Sequence, residues 1–243
     1  MVEPDVILGH IRRVMGSAGA LAGRRVVVTA GPTREMLDPV RFISNPSSGR
    51  QGFALAQAAL DQGADVTLIS GPTVLSTPVG AERVDVISAQ EMCDTVLATT
   101  ADADVLLMTA AVGDYYPAER ATQKIKKSEA GLAINLIRTP DIVGAVASRR
   151  LTSGFPRVIV GFAAESERVV ENARDKLLRK NLDLIVANDV TAPGAGFAAE
   201  TNQVTIVDRR DGVTDLPLMS KAEVSEVIIQ HVVALLPELD SST

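Results

Sequence analysis

Short runs of consecutive apolar residues recur along this chain, each followed by a longer stretch with helical spacing. That alternation limits the fold more than any other feature. Arg25–Ala30 (RVVVTA) is apolar at nearly every position, as a strand must be when helices cover both faces of its sheet. Segments 64–70, 104–109, 158–161 and 184–187 have the same character, and 84–87 reads as a shorter strand. Between them, 49–61 and 167–180 have helical spacing. Two more helices are announced by their starts: Ser88-Ala-Gln-Glu91 has a capping-box pattern, and Thr139-Pro140-Asp141 puts a proline at the first helical position. Strand, loop and helix repeated in this order make an α/β fold, a Rossmann-like, mostly parallel sheet with helices on both faces. Residues 132–136 alternate like a half-buried strand, while 117–131 are polar and aperiodic and read as a mobile loop.

The two ends depart from this rhythm. Residues 5–18 carry Val6, Ile7, Ile11, Val14 and Met15 at helical spacing, and a Gly- and Ala-rich stretch follows. We read 1–23 as a helix and linker from a preceding domain, and 24–243 as the main domain. In the tail, 204–207 alternates, Asp211-Gly212 turns, a short strand lies near Leu216, and a last helix opens at Ser220-Lys-Ala-Glu223. These strands read as a small C-terminal β extension used in dimerisation, pairing across a two-fold axis.

Composition excludes several classes of function. A formal net charge of -6 argues against wholesale binding of nucleic acid or of an anionic membrane. No apolar stretch is long enough to span a bilayer, and no signal peptide opens the chain. The single cysteine, Cys93, cannot form an internal disulfide, which fits a cytoplasmic location. It lies in a helical run, where packing is the expected role.

In an open α/β sheet, ligands bind beyond the carboxyl ends of the strands. The loops after Ala30, Thr109, Gly161 and Ala187 therefore hold the candidates. The first runs from Gly31 to Gly52 and ends in Ser47-Ser48-Gly49-x-x-Gly52. Glycines here let the backbone approach an anion, and the helix start aims N–H groups and a positive dipole end at it. A serine-capped surface loop is the plainer alternative. Asn45, just upstream, can donate to a developing oxyanion or orient a carboxylate. Asp114, in Ala110-Ala-Val-Gly-Asp-Tyr-Tyr-Pro117, stands past a strand end, where a carboxylate can hold Mg²⁺ on a triphosphate; a turn aspartate is the alternative. Lys124-Ile-Lys-Lys127, and Lys176, Arg179 and Lys180 on one helix face, are two basic clusters in an acidic protein. A solvated face is the ordinary reading of each; together they suggest a polyanionic ligand. Phe162 can stack on a base or pack in the core, and Asp189 can contact ligand or cap a turn. No metal-ligand spacing and no Ser/His/Asp arrangement is present.

Taken in order, these runs resemble phosphopantothenoylcysteine synthetase over about residues 24 to 236. They are Gly31-Pro-Thr-Arg-Glu35, Asp38-Pro-Val-Arg-Phe-Ile-Ser-Asn-Pro-Ser-Ser-Gly49, Ala110-Ala-Val-Gly-Asp-Tyr115, Lys124-Ile-Lys-Lys127, Thr139-Pro-Asp-Ile-Val143, Gly161-Phe-Ala-Ala-Glu165 and Asp183-Leu-Ile-Val-Ala-Asn-Asp-Val190. The resemblance implies a dimeric ligase of coenzyme A biosynthesis. Such an enzyme uses CTP to turn the carboxylate of 4′-phosphopantothenate into an acyl-cytidylate, from which the amine of L-cysteine displaces CMP. It implies roles for Asn45 in the acyl-transfer step, for Asp114 with nucleotide and Mg²⁺ or Mn²⁺, and for Lys124 on a mobile loop. Nucleotide contacts are implied for Ser47, Ser48, Gly49, Ile137, Arg138, Thr139, Pro140, Phe162, Lys176 and Lys180. It also implies fusion to an N-terminal flavin-dependent decarboxylase, with no flavin in this domain. Tyr116 replaces a customary arginine, Arg50 a frequent lysine and Ser166 a frequent threonine.

Two rivals lack their signatures. A nicotinamide-dependent reductase calls for G-x-G-x-x-G directly after the first strand, which is missing. A nucleotide-sensing module has no need of Asn45 beside the phosphate turn or of two lysine clusters.

Overall fold

The computed structural model describes residues 2–127, 131–165, 167–189 and 199–237. Ser166, Val190 and the side chain of Asp189, singled out in the sequence, lie outside what is described. In chain order the elements are α1 (Pro4–Gly16), β1 (Arg25–Ala30), β2 (Arg34–Met36), β3 (Phe42–Ser44), α2 (Arg50–Asp61), β4 (Asp65–Ser70) and β5 (Glu82–Asp85). There follow α3 (Ala89–Thr99), β6 (Val105–Met108), β7 (Tyr115–Pro117), β8 (Leu136–Arg138), α4 (Ile142–Ser153), β9 (Val158–Glu165), α5 (Val169–Arg179) and β10 (Leu184–Asp189). The chain closes with β11 (Thr201–Asn202), β12 (Val204–Asp208), β13 (Val213–Asp215), β14 (Met219–Ser220) and α6 (Lys221–Leu235).

The main sheet has eight strands in the order β13-β12-β10-β9-β6-β1-β4-β5. From β10 to β5 all pairings are parallel. Strand side chains alternate between two cores. Val26, Val28 and Ala30 of β1 join α2 and α6 on one face, while Val27 joins α3, α4 and α5 on the other. Burial on both faces is why these strands read as unbroken apolar runs. Chain order reverses at β1, which is flanked by β4 and β6, so a crevice opens at its carboxyl end.

Several expectations need correction. The tail strands are not spare: β12 pairs antiparallel with β10, and β13 with β12, both inside the main sheet. β12 alternates in the sequence because it lies near the sheet edge, and its pairing lies within the chain. Alternation at 132–135 does not form a strand; β8 begins at Leu136 and pairs with β7 in a separate hairpin. Pro140 precedes its helix, because the Asp141 carboxylate caps it by accepting from the Gly144 N–H at 3.0 Å. A carboxylate that satisfies an N-terminal amide wins the cap position. At α3, Ser88 caps the Glu91 N–H as expected, but the Glu91 carboxylate reaches the Ile87 N–H, one residue before the cap. Cys93 is buried in α3, and that burial pushes its thiol pKa up. Helix α1 lies along α2, with Gly16 close against the Asp61 backbone and Arg12 paired with the Asp61 carboxylate. Leu21, just after it, is fully buried in the core.

At the amino edge of the sheet Asp104 pairs with both Arg24 and Arg157. Asp104 accepts from the Arg24 guanidinium at 2.9 Å and from the Arg25 N–H at 3.0 Å, and only 4 % of Arg24 is exposed. Asp104→Ala leaves that guanidinium buried without its carboxylate. We expect a loss of about 3–5 kcal/mol of stability, read from the urea midpoint.

Candidate active site

The site is built on the ends of β1 and β6. Thr29 Oγ1 accepts from the N–H groups of Thr109 and Ala110, both at 3.1 Å, and the Ala111 N–H donates to Gly31 O at 2.9 Å. These bonds carry the register of β1 and β6 into the loops beyond them. The 110–114 loop continues across Gly113, whose N–H donates to Thr33 Oγ1 at 2.9 Å, to Asp114. From the other side, Thr139 donates through Oγ1 to Gly113 O at 2.7 Å and through N–H to Asp114 O at 3.0 Å. The β7–β8 hairpin is thereby stitched under Asp114.

Helix α2 starts at the same place. Gly49 is its N-cap with φ +79°, a left-handed conformation that favours glycine. A Cβ on Gly52 would stand 2.5 Å from Ala30 Cβ, so only glycine lets the first turn of α2 seat on the end of β1. Asn45 reaches over from the other side of this turn. Its Nδ2 donates to Val112 O at 3.1 Å and, at 3.5 Å, to Ala111 O.

Together these segments enclose a cleft of about 790 Å³. Asn45, Ser47, Ser48, Gly49 and Asp114 line it. So do Arg138, Thr139, Pro140, Phe162, Lys176 and Lys180. Ile137 and Lys124 do not: Ile137 sits in β8, and Lys124 is exposed between β7 and β8, in the stretch 117–131 of which 128–130 lie outside the described residues. The Lys180 ammonium is paired with the Asp141 carboxylate. Burial alone would raise the Asp141 pKa; the Lys180 and Gly144 bonds outweigh it and hold it below the ordinary value. Among the described residues no cluster of three or more His, Cys, Asp or Glu is placed to hold a metal ion by itself.

Residues 21–236 match the family of DNA/pantothenate metabolism flavoprotein C-terminal domains. The chain belongs to that family. It is 47% identical over 231 residues, 94% of its length, to the coenzyme A biosynthesis bifunctional protein CoaBC of Vibrio cholerae. It is also 47% identical over 220 residues, 90% of its length, to the protein of that name in Bacillus subtilis. It spans 57% and 53% of those two relatives, so the matched stretch is about half of each. Among solved structures, the C-terminal domain of a CoaBC protein superposes with TM-score 0.75 at 39% identity, covering 89% of this chain and 97% of that one. A DNA/pantothenate metabolism flavoprotein from Streptococcus pneumoniae has TM-score 0.74 at 23% identity, covering 87% of this chain and 99% of that one, and shares the fold.

Sequence reasoning missed Asn202 and Lys221, which line the same cleft. Asn202 is buried, and its Oδ1 has no hydrogen-bond partner among the described residues. Its Nδ2 lies 3.4 Å from Gln51 Oε1 on α2, a fold contact that spans 151 positions of sequence. Lys221 is buried at the first position of α6; burial and the charge of Arg50 lower its pKa. One signal was visible: a lysine in the first turn of a helix opposes the helix dipole.

Lys176 gives a test with a definite sign. Burial holds its ammonium below the ordinary 10.5, against the opposing charge of Glu165. Folding therefore disfavours its charged form, and stability should rise as pH climbs toward 10.5. Lys176→Met removes the penalty. We expect the variant to melt no lower than the native protein at pH 7, with any advantage shrinking toward pH 10. Added triphosphate should shift the native melting temperature more than the variant's. Calorimetry across pH checks both.

Proposed function

We propose that this domain forms the amide bond of 4′-phosphopantothenoyl-L-cysteine, using CTP to activate the carboxylate of 4′-phosphopantothenate. What carries the reading is the convergence of Asn45, the glycine turn, Asp114 and the α5 cations on one cleft at the strand-order reversal. The names of the Vibrio and Bacillus relatives, bifunctional proteins of coenzyme A biosynthesis, support it. In those terms α1 leads in from a fused decarboxylase domain.

A carboxylate and an amine do not condense at neutral pH, because the departing oxygen is a poor leaving group. In the first step a carboxylate oxygen attacks the α-phosphorus of CTP, and pyrophosphate leaves with the electrons of the broken P–O bond. In the second, the neutral amine of cysteine attacks the acyl carbon, CMP leaves, and the nitrogen gives up a proton. The glycine turn, with its N–H groups and the positive end of α2, suits phosphoryl oxygens. Lys176 and Arg179 on α5 add charge from the opposite face of the sheet. Lys180 joins them by exchanging Asp141 for phosphate. Asp114 fits a Mg²⁺ held by one carboxylate together with substrate phosphates; such an ion would neutralise charge developing on pyrophosphate. Lys124 contributes when its loop closes over the triphosphate.

Dimerisation belongs to the same proposal, on a different surface from the tail. The hairpins β2–β3 and β7–β8 stand outside the main sheet and expose Phe42, Tyr115, Leu136 and Ile137. A two-fold contact through them would cover apolar surface beside the cleft. Light scattering over a dilution series should give the dimer mass; monomer throughout rejects this surface.

Asn45 separates the two half-reactions. An oxyanion replacing the 3.5 Å bond to Ala111 O would receive one of its amide hydrogens. Loss of such a donor costs roughly 3–4 kcal/mol in the step it serves, a hundredfold to a thousandfold in rate. Asn45→Asp should still make the acyl-cytidylate but pass it slowly to cysteine, so the intermediate accumulates and is seen by mass spectrometry after a quench. A variant that stalls before any intermediate, or turns over normally, rejects the role.

A further inference from the structure

The cleft does not include Lys124, yet the structure ties the lysine loop to the hairpin that leads into Asn45. One carboxylate makes the tie. Asp38 follows β2 and is fully buried. Its Oδ1 accepts from the N–H groups of Val40 and Arg41, both at 2.8 Å, closing a tight turn. Its Oδ2 accepts from Arg41 Nε at 2.9 Å and Nη2 at 2.6 Å, and also from the Ile125 N–H at 3.1 Å. Arg41 Nη2 in turn donates to Ile125 O at 2.6 Å. Both polar groups of the Ile125 backbone are thus held by an ion pair 84 positions or more away in sequence. A second strut lies beside it, where the Ala121 N–H donates to Leu37 O at 3.0 Å.

The direction of the chain gives this latch its consequence. Arg41 runs directly into β3, and β3 ends at Ser44, next to Asn45. Lys124 and Lys126 flank Ile125 and are exposed. An aspartate that only closed its own turn could do so from the surface, through Oδ1 alone. Burying the whole group, with an arginine and a distant amide on Oδ2, makes sense if the second segment must be held. Burial by itself raises the Asp38 pKa, but the amides of Val40, Ile125 and Arg41 and the Arg41 side chain outweigh it. The carboxyl is held well below the usual range, so the latch stays charged at any pH near neutral.

We infer that Asp38 is a positioning residue: through Ile125 it fixes the pivot of the lysine loop relative to the hairpin that leads into Asn45. Lys124, which lies between the Ala121 strut and the Ile125 anchor, then has a short and constrained path. This inference rests on the proposed roles of Lys124 and Asn45.

The sharpest variant is Ile125→Pro, which removes the N–H that Asp38 accepts and leaves the Asp38–Arg41 pair intact. Ile125→Ala keeps the N–H and serves as the conservative control. Without any ligand, trypsin cleavage after Lys126 and Lys127 should quicken by about tenfold in Ile125→Pro, with the melting temperature nearly unchanged. In single-turnover experiments with CTP and 4′-phosphopantothenate, acyl-nucleotide formation should slow by about tenfold, a mispositioning effect. Ile125→Ala should match the native protein in both. Asp38→Asn should follow Ile125→Pro; if it does not fold, Ile125→Pro alone carries the test. Unchanged trypsin cleavage, or loosened cleavage with a native activation rate, overturns the inference. Lys124→Ala distinguishes the two ways of failing. A native activation rate in Lys124→Ala rejects the role of Lys124. A slow rate there beside a native rate in Ile125→Pro rejects the latch and spares the role.

Discussion

The first turn of α2 sits on the end of β1 with no side chain between them, and the cleft is registered to that contact. Gly52 makes it possible by having no Cβ beside Ala30. Gly49, at positive φ, turns the chain into the helix within van der Waals reach of Gly31. A helix displaced by even a methyl group would move the glycine turn away from the 110–114 loop. The Thr29 bonds to Thr109 and Ala110 fix the other side of the same junction. The strand-order reversal supplies a crevice, and these close contacts give it a floor.

Positive charge reaches the floor from both faces of the sheet. Arg50 and Lys221 come from α2 and α6, and Lys176, Arg179 and Lys180 from α4's neighbour α5 on the far side. Two of these ammonium groups, Lys176 and Lys221, are held where burial disfavours their charge. A polyanion that entered between them would restore what burial removes, and the proposed reaction brings two, a triphosphate and a phosphorylated acid. Such an arrangement exchanges stability of the empty domain for affinity.

The small hairpins matter more than their size suggests. β2–β3 leads into Asn45, and β7–β8 supports Asp114, yet neither hairpin belongs to the main sheet. A few polar bonds hold them in place: backbone bonds such as Arg34 N–H to Ile87 O and Thr139 N–H to Asp114 O, and side-chain bonds from Ser44 Oγ to Thr33 O, Asn45 to the carbonyls of Ala111 and Val112, and Thr139 to Gly113. The Asp38 carboxylate extends this stitching to the lysine loop. Loops held by a few polar contacts can rearrange when a ligand offers competing ones, and a two-step reaction needs that freedom.

The parallel sheet was legible in the sequence because burial on both faces demands unbroken apolar runs, as in Arg25–Ala30. The glycine turn was legible because Gly49 and Gly52 stand where a side chain cannot; Asn45 became a candidate by lying just upstream of that turn, and Asp114 by lying a few residues past the end of β6. Other features were not legible. Alternation in 204–207 records a strand near the sheet edge, but the same pattern serves a partner in this chain or in another, and only β10 decided which. A polar loop carries no mark of its anchor, so the hold of Asp38 on Ile125 could not be read from either segment. Asn202 lacks any local motif, and Lys221 shows only as a lysine in the first turn of a helix; they enter the cleft because α6 packs on α2 and β11 pairs with β14 just ahead of α6. Local backbone chemistry and face-by-face burial are written in short stretches of sequence, and those stretches determined the fold class and the candidate loops. Contacts between segments far apart in the sequence are set by packing of the whole chain, and they decided which side chains share the cleft.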